Sequence, residues 1–398
     1  MSEVAQVPQL RFPEFSGEWE DGKLGNYGNL INGLTYSPDN IVDDGLLVLR
    51  SSNVQNGQIY LNDNVYVNLD VDDAALTKED DILICVRNGS KRLIGKSTII
   101  NKNLPKSTHG AFMTVFRGES NKFISHWFHS SIYYKEVHKN LGATINSING
   151  SNLKKFKTIF PLKPEQQRIA AFLTAVDNKI EQLSKKQALL GEYKKGLMQQ
   201  IFSQAIRFKS DDGGTFPDWE EKNGNEIFDN ISNKNHDSDL PILAITQEHG
   251  AIPRDLINYK MIVSDKSVSS YKVVETGDFI ISLRSFQGGI EYSNYKGICS
   301  PAYIILRPAI EIEKKFYKYY LKTYRYIQDL NRKLEGIRDG KMVSYKYFSE
   351  IKLPYPSISE QAKIANFLSS IDNKIEQVGK QLRESKQFKK ALLQQMFV

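Results

Sequence analysis

The chain has little cysteine, with Cys85 and Cys299 as its two thiols in 398 residues. Two cysteines cannot form a disulfide framework for a chain of this size, and neither lies in a cluster with the spacing of zinc ligands. Such sparing use of thiols is typical of a reducing cytoplasm, and we interpret both as buried structural residues. The sequence therefore favours a cytoplasmic protein over the disulfide-rich secreted class.

Long apolar runs are also missing. No stretch of about 18 consecutive apolar residues occurs, so no transmembrane helix is expected. The first residues, MSEVAQVPQLRFPEF, lack the basic start and the apolar segment of a signal peptide. We therefore expect a soluble protein with no membrane partner.

Catalytic signatures are absent as well. The sequence contains no GxxxxGK[ST] phosphate loop, no GxGxxG after a strand, no HExxH and no Asp/Asn-Pro-Pro-Tyr/Phe motif. His126 and His129 lie three residues apart in a predicted helix, but two ligands are too few for zinc, and we interpret them as a polar or packing pair. Glu350-Ile351-Lys352 resembles the end of a nuclease ExK element, although an edge strand explains it better. We expect no catalytic residue, no metal and no cofactor in this chain.

The composition is that of an ordinary globular protein. The hydrophobic fraction is 40% and the charged fraction 25%. A length of 398 residues exceeds what one hydrophobic core usually holds, so at least two domains are expected. The net charge of +7 permits a nucleic-acid partner without requiring one.

The main internal feature is a repeat. The segment DNKIEQ occurs at Asp177–Gln182 and again, 195 residues later, at Asp372–Gln377. The similarity extends without a gap over Glu165–Phe202 and Glu360–Phe397, where 19 of 38 positions are identical. A repeat offset close to half of the chain length predicts a duplicated molecule with pseudo-two-fold symmetry.

Both repeats read as long helices. Proline and Glu165 open the first repeat, and Ser357 and Glu360 open the second with the spacing of a capping box. Apolar residues then alternate in steps of four and three, the 3.5-residue period of a coiled-coil seam. We predict that the two helices pack antiparallel on each other; the alternative is two independent helices on separate domains. The predicted seam and partner-docking residues are Ile169, Leu173, Val176, Ile180, Leu183, Ile364, Leu368, Ile371, Ile375 and Val378.

The remaining sequence predicts two mixed α/β domains (α/β or α+β). The predicted divisions are a domain at 1–160, a helix at 161–205, a domain at 206–352 and a helix at 353–398. Both domains share an outline: an Arg-Phe pair, a Trp-Glu pair, and an aspartate that leads into an apolar strand followed by arginine. The predicted strands are Leu46–Leu49, Ile82–Val86, Ser97–Ile100, Ile242–Ile245, Phe279–Leu283 and Tyr303–Leu306, and the predicted helical stretches are Asn121–Lys139 and Ile312–Leu334.

Hydrogen-bond donors cluster in the loops that follow these strands. Arginine can bond guanine bidentately, asparagine and glutamine can bond adenine, and lysine can bind phosphate without reading sequence. Their presence in corresponding loops of both halves favours DNA over a merely solvated surface. The predicted DNA-binding residues are Arg50, Ser51, Asn53, Arg87, Asn88, Lys91, Arg92, Thr144, Asn146, Gln247, Arg284, Ser285, Gln287, Arg338 and Lys341.

The repeated helices and the order of the domains resemble those of a known family. The helices open with Pro-x-x-Pro-Glu-Gln-Gln-Arg-Ile-Ala and Pro-x-x-Ser-Glu-Gln-x-Lys-Ile-Ala, and each continues through Phe-Leu to Asp-Asn-Lys-Ile-Glu. This order of variable domain and repeated helix is similar to the specificity subunit of type I restriction–modification systems. The resemblance implies two target-recognition domains, each reading one half of a bipartite, asymmetric site in double-stranded DNA.

The resemblance also implies partners. Two methyltransferase subunits would dock on the helices and methylate adenine with S-adenosylmethionine, and restriction subunits would translocate and cleave DNA with ATP and Mg²⁺. The charged residues of the DNKIEQ segments are expected to face these partners. Four residues added to each helix would add about 6 Å, roughly two base pairs of spacer, and exchanging residues 206–352 would change one half-site.

Two other functions remain open on the sequence alone. A coiled-coil scaffold whose domains bind proteins needs no DNA, and the net charge of +7 does not exclude it. A self-sufficient nuclease or methyltransferase is disfavoured by the absence of cofactor and metal motifs. Salt-dependent DNA binding would separate the first of these from a specificity subunit, and an assay of the purified chain with metal and S-adenosylmethionine would test the second.

Overall fold

The computed structural model describes residues 7–101, 103–141, 146–237, 239–257, 268–332 and 343–398. The chain divides into two compact units. The first unit comprises Met1–Ser184 and Lys380–Val398, and the second comprises Lys185–Gly379. Each unit therefore contains one globular domain together with a part of each repeated helix.

The globular part of the first unit is rich in short strands. Its helices are α1 (Asn121–Trp127), α2 (Ser131–Asn140) and α3 (Gly150–Lys154). Its strands are β1 (Glu20–Lys23), β2 (Gly28–Asn32), β3 (Ile41–Val42), β4 (Leu46–Leu49), β5 (Val54–Gln55), β6 (Gln58–Ile59), β7 (Tyr66–Val67), β8 (Ile82–Cys85), β9 (Ser97–Ile99), β10 (Ser107–His109), β11 (Met113–Gly118) and β12 (Lys157–Phe160).

Two four-stranded sheets organise this domain. One is antiparallel with the order β2-β11-β8-β9, and the other has the order β10-β4-β7-β3, with β10 parallel to β4. β8 is buried along its whole length, which explains its continuous apolar sequence. A core of aromatic residues, including Trp19, Trp127 and Phe160, then joins the sheet to the start of one repeated helix and the end of the other.

The second unit repeats part of this plan. Its helices are α5 (Gly224–Ile227), α6 (Ser285–Gly288), α7 (Lys314–Tyr320), α8 (Tyr324–Arg332) and α9 (Tyr345–Ser349), numbered after the long helix α4 (Lys163–Phe202) that precedes them. Its strands are β13 (Glu220–Asn223), β14 (Phe228–Ile231), β15 (Leu243–Thr246), β16 (Gly250–Pro253), β17 (Lys272–Val274), β18 (Phe279–Ile281), β19 (Glu291–Tyr292), β20 (Gly297–Cys299), β21 (Ile304–Pro308) and β22 (Lys352–Tyr355).

The equivalent sheets confirm the duplication. The antiparallel sheet β14-β21-β18-β19 corresponds to β2-β11-β8-β9, and the pair β13-β22 corresponds to β1-β12. The other strands of the second unit form the pairs β15-β16 and β17-β20, where the first unit has a four-stranded sheet. The shared frame and the different additions match the expectation that the two domains agree only in outline.

A buried ion pair holds the central sheet of each unit. Asp81 is 1% exposed, and Arg117 donates to both of its carboxylate oxygens at 2.8 and 2.7 Å. Asp278, also 1% exposed, accepts the same two bonds from Arg307 at 2.8 and 2.7 Å. The aspartate that precedes each apolar strand in the sequence therefore has a structural role. Its buried carboxylate needs a charged hydrogen-bond donor, and the arginine of the neighbouring strand provides it.

The repeated helices are α4 (Lys163–Phe202) and α10 (Ile358–Gln395). Both begin in the same way, because the side-chain amides of Gln166 and Gln361 each donate to a proline carbonyl at 2.8 Å. Ser357 accepts the Glu360 N–H at 3.3 Å, as a capping box requires. The second half of the predicted box is wrong: the Glu360 carboxylate instead accepts bonds from Arg207 and Trp219.

Part of the predicted seam lies in cores that the two helices share. In the first unit, Ile169 and Leu173 share a core with Leu392 and Met396 of α10. In the second unit, Ile364 and Leu368 share a core with Ile201 of α4. In each unit the helix segments run antiparallel, since rising numbers in α4 meet falling numbers in α10. The ten predicted seam residues are all buried or half-buried.

Most predicted elements occur close to their expected bounds. β4 matches its prediction, β8, β9 and β18 differ from theirs by one or two residues at one end, and β15 and β21 differ by one or two residues at each end. The stretch Asn121–Lys139 forms two helices because the chain turns at Phe128–Ser130. The prediction Ile312–Leu334 likewise corresponds to α7 and α8, and its last residues lie outside the described part of the chain. Among the described residues, no helix is long and apolar enough to cross a membrane.

Candidate nucleic-acid interface and helix junctions

Three donor-bearing segments of the first unit meet at the end of β8. The side-chain amide of Asn88 donates to the Ser51 hydroxyl at 2.8 Å, and its backbone N–H donates to the Asn146 carbonyl at 3.2 Å. The Asn146 side chain in turn donates to the Gly89 carbonyl at 2.9 Å. These bonds join the loop after β4, the loop after β8 and the segment before α3. The sequence predicted that these residues act together, and the structure brings them together.

The outer residues of this cluster are exposed cations. Arg87 follows β8 after one intervening residue, Val86, and Lys91 and Arg92 begin a short 3-10 turn at Lys91–Leu93. Beneath them, Lys96 donates to the Ser51 carbonyl at 3.0 Å, and partial burial lowers the pKa of its ammonium group. These exposed arginine and lysine side chains lie on loops that are joined by hydrogen bonds, and together they form a surface suited to an anionic partner.

Two predicted DNA-binding residues of the first unit have internal roles. Asn53 is fully buried; its side-chain oxygen accepts the Arg50 N–H, and its amide donates to the Tyr60 carbonyl. Arg50 is partly exposed and forms an ion pair with Asp63 at 2.8 Å. Asn53 therefore shapes the loop and has no surface to offer a base, while Arg50 would have to exchange Asp63 for a phosphate or a base.

The second unit has its own donor cluster at the end of β18. Arg284 and Gln287 are exposed in and beside α6, and Gln247 donates to the Arg284 carbonyl at 3.2 Å. Asn331 of α8 donates to the Phe286 carbonyl at 2.9 Å and holds the other side of the turn. Gly289 has φ +80°, and a Cβ there would lie 2.1 Å from the Leu321 carbonyl oxygen, so only glycine fits.

Ser285 is the predicted residue of this second cluster that is not accessible. It is 1% exposed, and its hydroxyl accepts the Ser282 N–H at 2.9 Å. It therefore fixes the turn that presents Arg284. Thr144, Arg338 and Lys341 lie outside the described residues. Within the described part of the chain, no group of three or more His, Cys, Asp or Glu residues is arranged to hold a metal ion.

A polar junction links the repeated helices to the domain in the first unit. Asp177, the first residue of DNKIEQ, forms an ion pair with Lys389 of α10 at 2.5 Å. His126 of α1 lies 3.7 Å from the same carboxylate and 3.2 Å from the Thr174 hydroxyl. The expectation that the charged residues of this segment face partner subunits is thus wrong for Asp177, because its carboxylate is used within the unit.

The second unit repeats this junction with one change. Asp372 pairs with Lys194 of α4 at 2.6 Å. Tyr319 of α7 donates to Asp372 at 2.7 Å and lies 3.2 Å from the Ser369 hydroxyl. The repeat offset of 195 residues relates both the aspartates and the lysines, so each helix supplies the aspartate of one junction and the lysine of the other. Tyr319 takes the place of His126.

Burial keeps the histidines of the first junction neutral. Loss of hydration, with a smaller contribution from the Lys389 charge, lowers the pKa of His126 to about 3. The same two causes lower the pKa of the neighbouring His129 to about 4. Their Nδ1 atoms have no hydrogen-bond partner. The interpretation of this pair as a packing pair fits their burial.

A second junction at the helix starts was also missed by sequence reasoning. Arg11 donates two bonds to Glu165, at 2.8 and 2.7 Å, and Arg207 donates two to Glu360, at 3.3 and 3.0 Å. The sequence shows the Arg-Phe pairs and the repeated glutamates, but it does not show that they meet. Pairing the residues that recur in both halves would have suggested this contact.

The most buried seam residues have no surface to offer a partner. Ile169, Leu173, Ile364 and Leu368 are at most 2% exposed, so the docking part of the prediction is corrected for these four. The exposed apolar residues of the helices lie elsewhere. Tyr193 is 57% exposed in the second unit and Phe388 is 54% exposed in the first, at positions related by the repeat offset. In the first unit, Phe388 lines a groove with Phe172 and Val176.

Sequence comparison places this architecture in a family. Residues 16–190 and 217–384 match the family model described as type I restriction modification DNA specificity domain. The chain is 25% identical, over 96% of its length and 92% of the relative, to the type I restriction enzyme MjaVIII specificity subunit of Methanocaldococcus jannaschii. It is 29% identical to the EcoKI specificity subunit of Escherichia coli, over 48% of this chain and 43% of that one.

Solved structures show the same fold. The crystal structure of a type I restriction–modification S subunit from M. genitalium has a TM-score of 0.61 and 18% identity, covering 98% of this chain and 99% of that chain. The match of both halves to one family model agrees with the duplicated sheets, helices and junctions described above. The chain belongs to the family of type I restriction–modification DNA specificity domains, and it is a DNA sequence-specificity subunit.

Proposed function

We propose that each globular domain reads one half of a bipartite, asymmetric site in double-stranded DNA. The observation that carries this proposal is the pair of donor clusters at the ends of β8 and β18, which occupy the same place in the duplicated frame. Arg87 and Arg284 are exposed at the centre of these clusters. Arginine at such a position suits bidentate bonding to guanine in the major groove.

The two clusters differ enough to read different sequences. The first presents Arg87, Asn88, Lys91 and Arg92 on loops that hydrogen bonds of Ser51 and Asn146 hold together. The second presents Arg284, Gln247 and Gln287. Side chains that differ in donor and acceptor pattern select different base pairs, while lysines and remaining arginines bind phosphate. An asymmetric target follows from a symmetric frame that carries different loops.

The repeated helices would dock two copies of a methyltransferase subunit. Tyr193 and Phe388 support this, because they expose aromatic rings at repeat-related positions, one in each unit. Exposed aromatic residues are enriched at protein interfaces. Two copies of one partner would thus find similar surfaces. In this proposal the chain is not catalytic: the methyltransferase subunits bind S-adenosylmethionine, and restriction subunits bind ATP and Mg²⁺.

Mapping of methylated adenines by long-read sequencing tests the proposal. The chain would be expressed with its methyltransferase subunit in cells that lack other adenine methylation, beside cells without this chain. A bipartite motif with an unspecified spacer is expected only when the chain is present. Methylation that does not depend on the chain, or a continuous motif, would contradict the two-domain assignment.

A domain exchange assigns the half-sites. Replacing residues 206–352 with the corresponding domain of another specificity subunit should change one half of the motif and leave the other unchanged. A change in both halves would show that the domains do not read independently. Loss of all methylation together with loss of the folded complex would be recognised by purifying the complex before mapping.

A further inference from the structure

An exposed aromatic residue borders the donor cluster of the first unit. Phe112 lies in the turn between β10 and β11 and is 56% exposed. Isolated apolar residues on a surface are common and need no function. The surroundings of Phe112 set it apart, because its neighbours include Arg87, a cation of the proposed DNA interface.

The backbone of this turn is firmly anchored. The Phe112 carbonyl accepts the N–H groups of both Val86 and Arg87, at 3.0 and 3.1 Å. The Met113 N–H donates to Gly110 at 2.8 Å, and the Ala111 N–H donates to Leu34 at 2.9 Å. The backbone from which the aromatic ring projects is therefore held against the end of β8 before any partner binds.

The ring and the arginine are already in contact. The Arg87 guanidinium carbon lies 5.5 Å from the centroid of the Phe112 ring. A cation–π contact is weak at an exposed site and becomes stronger when a partner excludes water. It also restricts the rotamers of Arg87, so less side-chain entropy is lost when the guanidinium fork bonds a base.

We propose that Phe112 and Arg87 form one base-reading pair: Phe112 packs on the C5-methyl group of a thymine in the major groove while Arg87 bonds an adjacent guanine. Apolar contact with the thymine methyl and bidentate arginine–guanine bonding are complementary in this groove. The proposal deepens the proposed function and depends on it. It adds a residue that donor patterns in the sequence could not reveal, since a phenyl ring donates nothing.

Removal of one methyl group from the DNA tests the contact. Once the motif of the wild-type complex is mapped, each thymine in the half-site of the first domain is replaced in turn by deoxyuridine, and duplex binding is measured with the methyltransferase subunits present. One replacement should weaken wild-type binding about fourfold, the loss expected for one buried methyl group. The Phe112→Ala complex should bind more weakly and be indifferent to that replacement.

Two control variants distinguish the loss of the Phe112 ring from a general loss of exposed apolar surface. Ile41→Ala removes another exposed apolar side chain of the same unit, from the strand at the edge of the second sheet, and should retain the wild-type response. Phe112→Leu keeps an apolar surface and should retain part of the methyl dependence. Equal deoxyuridine sensitivity in wild type and Phe112→Ala, or a mapped half-site without thymine, overturns the proposal.

The outcomes also distinguish a failure of the Phe112–Arg87 proposal from a failure of the proposed function. If the wild-type complex yields no chain-dependent bipartite motif, the proposed function fails and the pair has no role in DNA reading. If the motif is present but Phe112→Ala leaves affinity, motif and methyl dependence unchanged, the proposed function stands and the Phe112 assignment alone is wrong.

Discussion

At the scale of single residues, Arg87 and Arg284 matter most, because they occupy one position in two domains. Each follows the central strand of its sheet and is exposed. The ion pairs Asp81–Arg117 and Asp278–Arg307 fix those strands from the opposite end. Two arginines held in the same frame but surrounded by different neighbours are a matched pair for mutation.

Replacing either arginine should relax one half-site alone. Arg87→Ala is expected to lose discrimination at one guanine in the first half-site, and Arg284→Ala at one guanine in the second, each costing about 1–3 kcal/mol in binding of the specific site. Quantitative methylation of a library of randomised targets measures both. Lys91→Ala serves as the control, since loss of a phosphate contact should weaken binding evenly over all sequences.

The sequence indicated which loops carry hydrogen-bond donors, but not which of their side chains remain available to a partner. Asn53 and Ser285 look like readers in the sequence because both are polar and follow a strand. In the structure Asn53 is 0% and Ser285 is 1% exposed, and both bond the backbone of their own turns. Asparagine and serine commonly bond nearby backbone groups in turns, and this local role competes with recognition. Whether a given loop uses them so depends on tertiary contacts that no local pattern encodes.

At the scale of elements, the DNKIEQ segment combines seam and junction. Its isoleucines lie in the helix seam, and its aspartates pair with a lysine of the opposite helix, as Asp177–Lys389 and Asp372–Lys194. An antiparallel seam of apolar residues tolerates slippage by whole heptads. The aspartate–lysine pair at one level of the seam in each unit disfavours such slippage, because a shifted register would leave a partly buried charge unpaired.

A charge exchange tests this role in the first unit. Asp177→Lys places two ammonium groups together and should lower the free energy of unfolding by about 1–2 kcal/mol, given that both side chains are partly exposed. The double variant Asp177→Lys, Lys389→Asp should recover most of the loss, as measured by thermal unfolding. Additive losses in the double variant would show that the ion pair contributes no coupling. Asp372→Lys with Lys194→Asp is the same test in the second unit.

Long helices and apolar strands were predictable because each depends on a local pattern. The 3.5-residue period and the continuous apolar run of β8 require no knowledge of distant residues. The side-chain partners were not predictable in the same way: Glu360 has the spacing of a capping box, yet its carboxylate binds Arg207 and Trp219. The competing contacts come from residues about 150 positions away, and they also cover the buried carboxylate.

At the scale of the whole molecule, the two units differ in the side chains that their domains contribute to the junctions. His126 and His129 in the first unit correspond to Tyr319 and Lys322 in the second. The folded pKa values of His126 and His129, about 3 and about 4, lie below the usual value of 6.5. The folded state therefore binds fewer protons than the unfolded state. The stability these residues contribute is complete above pH 6.5 and is lost as the pH falls toward the folded values.

Acidification should consequently loosen the first unit more than the second. Between pH 7 and pH 5 the loss is about 2 kcal/mol for each histidine. Hydrogen exchange of the amides in α1 and α7 measures this directly, because the two helices hold equivalent places. Protection of α1 should fall over this interval while protection of α7 changes little. Equal changes in both helices would contradict the assignment to the histidines.

We expect the length of the repeated helices to set the length of the DNA spacer. Four residues inserted in α4 after Ser184 and four in α10 after Gly379 fall between the two junctions, so the pairs Asp177–Lys389 and Asp372–Lys194 both keep their partners. Each helix gains about 6 Å, which corresponds to roughly two base pairs. Mapped methylation should therefore show a longer spacer with both half-sites unchanged. The same four residues inserted in the exposed turn at Gly213 should alter neither. An unchanged spacer in the helix variant, in a complex that still methylates, would show that something other than helix length sets the distance between half-sites.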